Sequence, residues 1–440
     1  MSTIKLKKGR DLPMMGGIDA STAETQAQKA HLYAVVPDDF TGFVPRMEKK
    51  EGEAVRAGEA LCHDKQLEQV KLVSPVSGTL KEVRRGERRH IEAIIIESDG
   101  EERAYEFDTK KAPKELFCES GLWAMMRQRP YDVVPNPDVK PRDIFVTAFD
   151  SAPLAPDLLR VVGEKAQYIN KGVEALKAIG ECEVHISVRA GMNIDAPAAT
   201  MHVIEGPHPA GNVGVQIANI KPVNKGEVVW ALDIVTLARM GELLSTGKVS
   251  HDTLVAVTGE CVGTPHYAHA IMGCPINTLV DNVDDSKVRI ISGNALTGIK
   301  ETKDGWLHAP YRHVTVIPEV GKADEFMGWA SLNPKRYSIY HLFPAWLRGS
   351  KKPAEFDARI KGGERAIVRS GEYDAMLPMD IYAEFLIKAI IAGDVEKMEQ
   401  LGIYEVAPED FALAEYADTS KLELQRIVRE GLDKLRKEME

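Results

Sequence analysis

The chain has 440 residues, 44% hydrophobic and 28% charged, which are ordinary values for a folded globular protein. A net charge of −10 argues against a nucleic-acid-binding surface. No uncharged apolar run approaches the ~18 residues of a membrane helix, and Phe385 to Ala392 is interrupted by Lys388. The opening Met1 to Arg10 is charged and lacks the apolar stretch of a signal peptide, so a cytoplasmic, reduced chain is expected. Cys62, Cys118, Cys182, Cys261 and Cys274 form no Cys-x-x-Cys pair, and their spacing suits neither an iron–sulfur cluster nor structural zinc.

In chain order, residues 1 to 30 are punctuated by Gly9, Pro13, Gly16 and Gly17 and read as an extended arm. His31 to Val36 and Phe43 to Met47 are short strands. Glu48 to Leu80 places Gly52 and Gly58 around Val55 and Leu61, then Ser74-Pro-Val-Ser-Gly78, the pattern of short strands folding back on themselves. This spacing resembles the β-hammerhead of biotinyl and lipoyl carrier domains, with Asp64-Lys65 where the modified lysine stands and Gln66 in place of the small residue that follows it. Lys81 to Arg89 is basic and is expected to be a solvated hairpin edge. Ile91 to Glu97 is another buried strand.

Pro113 to Arg129 reads as a helix with Leu116, Phe117, Leu122 and Met126 on one face. Ile144 to Ala148, a helix from Leu158 to Ile179 with a weak point at Gly172, and Val184 to Val188 suggest a βαβ unit and a parallel sheet. Met201 to Ile204 and Val229 to Leu232 add further strands. Neither Gly-x-Gly-x-x-Gly nor a P-loop is present, and Pro207 and Pro209 remove backbone donors from the loop Gly206 to Gly214. A Rossmann-like shape without a bound nucleotide is expected. Thr253 to Thr258, Val288 to Ser292 and Val314 to Pro318 form a small β unit of β-grasp type. His266 and His269 lack a third ligand at metal-site spacing. The remainder is helical: Ile381, Tyr382, Phe385, Leu386, Ala389 and Ile390 form one apolar stripe, and Ser420-x-x-Glu423 reads as a capping box opening a last helix that buries Leu424, Ile427, Val428, Leu432 and Leu435. Met376, Met379 and Met398 read as core filler.

The expectation is therefore an α+β/α/β multidomain chain. It comprises a biotinyl/lipoyl-like barrel-sandwich over 1–110, a Rossmann-like α/β domain over 111–250, a β-grasp (SLBB-like) domain over 251–330 and a helical domain over 331–440. Motifs spread along the chain are similar to one family, the A subunits of the sodium-translocating NADH:quinone reductase (Na+-NQR). They include Lys7 to Pro13, Glu51 to Gly58, Ser74 to Gly78, Ser120 to Trp123 with Arg127 to Pro130, and Asp143 to Ala148. His208 to Gly211, Arg289 to Gly298, Glu364 to Gly371 and Leu377 to Asp380 continue the match. The family is related to the C subunit of the Rnf complex and to the NADH-binding flavoprotein subunit of complex I.

The resemblance implies a cofactor-free subunit, peripheral on the cytoplasmic side of the bacterial inner membrane and partnered by the five other subunits, B to F. That complex oxidises NADH, reduces ubiquinone and pumps Na+ outward, using FMN, FAD, riboflavin and an iron–sulfur cluster held elsewhere. In the flavoprotein relatives a glycine-rich loop holds FMN; Gly121-Leu122-Trp123 stands at that place here, and an indole replaces the glycines. No residue is assigned a catalytic, cofactor-binding or metal role. The alternatives are a lipoyl- or biotin-type carrier modified on Lys65 and a soluble NADH or flavin oxidoreductase. Tyr340 to Trp346, flanked by basic residues including Lys351 and Lys352, is the expected docking surface.

Overall fold

The computed structural model describes residues 2–19, 21–280, 283–319, 333–340, 347 and 352–439. At its centre lies the parallel sheet that the apolar runs predict. Its order is Ser2–Lys5, Thr200–Glu205, Glu183–Val188, Asp143–Thr147, Val229–Asp233, Arg127–Arg129. The first five strands run parallel and Arg127–Arg129 closes the edge antiparallel. The N-terminal arm thus supplies an edge strand to a sheet whose other members lie more than a hundred residues away, and Thr25–Gln26 pairs with another sheet.

The helix expected from Pro113 to Arg129 ends at Glu119. Gly121, at φ +78°, turns the chain into a 3-10 turn over Trp123–Met125, and Arg127–Arg129 is then taken up as a strand by Val229–Ala231. Sheet pairing outweighs helical periodicity there. The helix expected from Leu158 to Ile179 breaks at Gly163 and Tyr168 rather than at Gly172. Gly172 is helical for a packing reason: a Cβ there would lie 2.5 Å from the Leu237 carbonyl, and one at Gly241 would lie 2.0 Å from that of Tyr168. Two glycines thus let helices Ile169–Gly180 and Ile234–Thr246 touch backbone to backbone on the sheet.

The hammerhead region forms two small sheets face to face. Leu32–Val35, Ile91–Ser98, Gly78–Arg85 and Ala54–Val55 make one; Pro45–Met47, Ala60–Asp64 and Lys71–Val73 make the other. Leu61, Leu72, Leu80, Ile94 and Ile96 fill the space between them. Gly52 and Gly58 adopt positive φ, as their turns require. The third unit is a mixed sheet of Asp252–Thr258, His266–Ile271, Val288–Ser292, Ile299–Glu301 and His313–Pro318, with Thr25–Gln26 at its edge. One continuous core runs through these three units. A second core gathers the C-terminal helices and ties in Leu6 and Leu12 of the arm.

Two expectations about the C-terminal helices need correction. Helix Ala383–Ala392 buries Ala383, Leu386, Ile387, Ala389 and Ile390, but Tyr382 and Phe385 of the expected stripe are 67% and 59% exposed. The helix is apolar on both faces, and only one meets the core. The capping box does not form: Ser420 Oγ donates to the Ala366 carbonyl and Glu423 pairs with Arg426. Glu415 instead accepts from the Gln425 N–H at the start of Leu424–Met439, and Asp418 accepts from Ser420 and Leu422. The buried side of that helix is the expected one, Leu424, Ile427, Val428, Leu432 and Leu435.

Candidate functional site

A narrow cleft of about 70 Å³ opens where the barrel formed by the two small facing sheets, the central α/β unit and the third unit meet. The barrel contributes Val35, Val36, Phe40 and Leu72; the α/β unit contributes Leu122, Met125, Arg239 and His251; the third unit contributes Met272 and Leu307. The junction is held by backbone contact. Ala34 N–H donates to the Gly273 carbonyl at 2.9 Å, and a Cβ at Gly273 would lie 2.1 Å from the Ala34 carbonyl, so only glycine permits the approach.

The walls are mainly apolar, with a few buried polar groups. Arg239, on helix Ile234–Thr246, donates from Nη2 to the Asp252 carbonyl and from Nη1 to the Met272 sulfur, 2.8 Å each. Its Nε has no partner. Burial, then the neighbouring Arg312, lowers its pKa to about 10, so it stays cationic at neutral pH. His251 keeps Nε2 buried and unpartnered; burial holds its pKa down to about 3 and the ring neutral.

In the cleft wall, Asp39 of the barrel meets His308 of the third unit behind it, Oδ1 to Nδ1 at 2.5 Å, and its Oδ2 accepts the Ala309 N–H at 2.8 Å. His308 Nε2 lies 2.9 Å from Glu301. Burial opposes charge on this ring, but the hydrogen bonds to Asp39 and Glu301 outweigh it and push the pKa up to about 9. The result is a cation clamped between two carboxylates across a domain junction. Chemically, the cleft sets apolar walls against a guanidinium, with a protonated imidazole just behind the wall.

The residues singled out in the sequence fall elsewhere. Lys65 is exposed at the start of the loop 65–70 that joins Ala60–Asp64 to Lys71–Val73, not at its apex. Asp64 closes that loop by accepting from Val44, Gln66 and Leu67 N–H groups. Trp123 is buried, donates to the Pro135 carbonyl at 2.9 Å and packs edge-on against Trp230; its neighbours Gly121 and Leu122 line the cleft. His266 bonds the Thr264 carbonyl and His269 bonds Glu24. Among the described residues one His/Asp/Glu group has metal-like spacing, Asp143, Glu183 and His185. Asp143 there already binds Arg142 and Lys221 at 2.6 and 2.8 Å, so two cations occupy the position a metal would take. Of the expected docking surface, residues 341–346 and Lys351 lie outside the described residues; Tyr340 donates to the Ala417 carbonyl under the Arg369 guanidinium. Sequence reading missed Arg239, His251 and His308. Each is isolated in the chain, and only packing brings them to one place.

Three family models match the chain: "NqrA N-terminal barrel-sandwich hybrid domain" over residues 4–99, "NqrA second alpha/beta domain" over 109–249 and "NQRA C-terminal domain" over 254–303. The chain is 32% identical to the A subunit of the Na(+)-translocating NADH-quinone reductase of Hahella chejuensis, across 99% of this chain and 100% of that one. It is 33% identical to the corresponding protein of Saccharophagus degradans and 32% to that of Pasteurella multocida, with the same coverage. A solved NAD+-reducing [NiFe]-hydrogenase aligns over 48% of the chain and 47% of its own, at 11% identity and a TM-score of 0.34, too loosely to bear on the site. No helix among the described residues is long and apolar enough to cross a membrane. Matched end to end at this identity, the chain belongs to the NqrA family, the A subunits of the Na(+)-translocating NADH-quinone reductase, and is thus one component of an enzyme complex.

Proposed function

We propose that this chain is a peripheral, cytoplasmic-side subunit that serves the quinone-reduction step of its complex and carries no redox cofactor of its own. The other subunits, B to F, hold the flavins and the iron–sulfur cluster, pass electrons from NADH to ubiquinone and move Na+ outward. The observation that supports a quinone role is the three-domain cleft, apolar walls with one buried, incompletely bonded guanidinium. At about 70 Å³ it admits a ring only when Met125 and Met272 swing aside, as unbranched thioethers readily do. Moving Met272 frees Arg239 Nη1 from sulfur, a weak acceptor, for a quinone carbonyl oxygen.

Reduction of a quinone to a quinol consumes two electrons and two protons. The line Glu301, His308, Asp39 leads from a partly exposed carboxylate to the cleft wall and holds a proton on His308 at neutral pH. The test is Val36→Trp in the assembled complex, since Val36 lines the cleft and is only partly buried. The KM for quinone rises about fivefold or more, equivalent to at least ~1 kcal/mol, while NADH oxidation by an artificial acceptor is unchanged. An unaltered quinone KM in a complex that assembles normally removes quinone from this cleft.

A further inference from the structure

Beyond the quinone reading, a second cavity lies at the carboxyl ends of Asp143–Thr147 and Val229–Asp233. The strand order reverses there, Glu183–Val188 lying on one flank of Asp143–Thr147 and Val229–Asp233 on the other, as at the crevices where open α/β sheets bind ligands. It has about 170 Å³, with Phe149, Leu158 and Tyr311 among its walls. Its polar groups are incompletely bonded. Arg312, 6% exposed, uses Nη1 on Asp233 at 2.7 Å and on the Pro310 carbonyl, while its Nε and Nη2 have no partner. Those two nitrogens form the side-on fork of a guanidinium. In this same protein the equivalent pair on Arg289 grips the Glu319 carboxylate at 2.9 and 2.7 Å.

His208 adds a second buried polar group to the wall. Gly211 N–H donates to Ser151 Oγ at 2.7 Å, and that hydroxyl lies 3.0 Å from His208 Nδ1. His208 Nε2 is buried and unpartnered. Burial holds the ring's pKa down to about 4, so it is neutral. The cavity also carries acids: Asp150, and Glu409, which lies 3.4 Å from the Arg129 guanidinium; burial raises the pKa of both, so a cation beside them is favoured. A phosphate is disfavoured: Asp410 already sits over the first turn of helix Val213–Ile220, where a Cβ on Gly214 would lie 2.4 Å from its Oδ2.

Free donors for a carboxylate, acids for a cation and apolar walls between them call for a molecule with both charges. We propose that this cavity binds a small zwitterion of the α-amino-acid type, its carboxylate on the Arg312 fork, its ammonium facing Asp150 and Glu409, and its side chain on the Phe149–Leu158 wall. A simple anion would bring no cation to Asp150 or to Glu409, which shares the one Arg129 guanidinium with Asp410, and a simple amine would leave the Arg312 fork empty.

The full-length chain is titrated with L-leucine, with 4-methylpentanoate, which lacks the amine, and with 3-methylbutylamine, which lacks the carboxylate; L-alanine tests a smaller side chain. Binding is read by calorimetry and saturation-transfer NMR. L-leucine or L-alanine binds saturably, and each truncated leucine analogue binds about tenfold or more weakly, the worth of one charge-assisted contact. Arg312→Lys, which keeps the charge and loses the fork, weakens the amino acid about tenfold, and Ala152→Phe, on the cavity wall, blocks it. The proposal is overturned if neither amino acid binds, if a truncated analogue binds as well as leucine, or if folded Arg312→Lys and Ala152→Phe bind like the parent chain. The comparison of ligands uses the unaltered protein, so it decides even if a variant does not fold. None of these outcomes touches the quinone cleft.

Discussion

Replacing His308 by Gln tests the domain junction most directly. In the folded chain its pKa stands at about 9, against 6.5 for an unperturbed ring, and its side chain is 8% exposed, so solvent screening is small. That difference is worth about 3 kcal/mol, at 1.36 kcal/mol per pKa unit. The pKa is raised on folding, so the stability is fully present below about pH 6.5 and is lost as pH climbs through about 9. Glutamine keeps a hydrogen-bonding shape but removes the cation between Asp39 and Glu301, leaving a buried carboxylate unpaired at a cost of about 3–5 kcal/mol. Urea unfolding of parent and variant is followed from pH 6 to 9.5. The gap between them is widest at pH 6 and narrows by about 3 kcal/mol by pH 9.5, where the parent has lost its own proton. Other titrating groups act on both proteins and cancel. A gap that stays constant with pH would refute the charged His308.

Further outcomes follow from close contacts. Gly241→Ala drives a methyl group onto the Tyr168 carbonyl and separates the two helices on the sheet, costing about 1–3 kcal/mol in a denaturant titration. Asp64→Ala strips three N–H groups of their acceptor, destabilising the barrel by about 1–3 kcal/mol or more and raising hydrogen exchange at Val44, Gln66 and Leu67. Lys65→Arg, in contrast, leaves the purified protein's stability and the complex's quinone reductase activity unchanged, because the side chain is exposed and bonds nothing the loop needs; loss of activity would revive a carrier role. Trp123→Phe orphans the Pro135 carbonyl in the core and lowers stability by about 1–3 kcal/mol, measured by thermal unfolding.

The order of units was legible in the sequence because it rests on local chemistry. Gly52 and Gly58 mark turns at positive φ, the short, β-branched apolar runs at Ile144 and Val184 read as buried strands, and the last helix shows its buried side at a spacing of three and four. What the sequence could not show was which competing pattern prevails. Arg127–Arg129 belongs to a helical pattern and becomes a strand because Val229–Ala231 presents an unpaired edge; Gly172 looks like a weak point and is a contact; Tyr382 and Phe385 belong to an apolar stripe and face outward. The sites lie furthest from the sequence. Asp39 and His308 are 269 positions apart, and Arg239, His251 and Met272 come from separate elements. A lone histidine or arginine carries no periodic signal. Its charge state and free hydrogen-bonding atoms are set by the neighbours packing brings, so only the tertiary structure decides what it does.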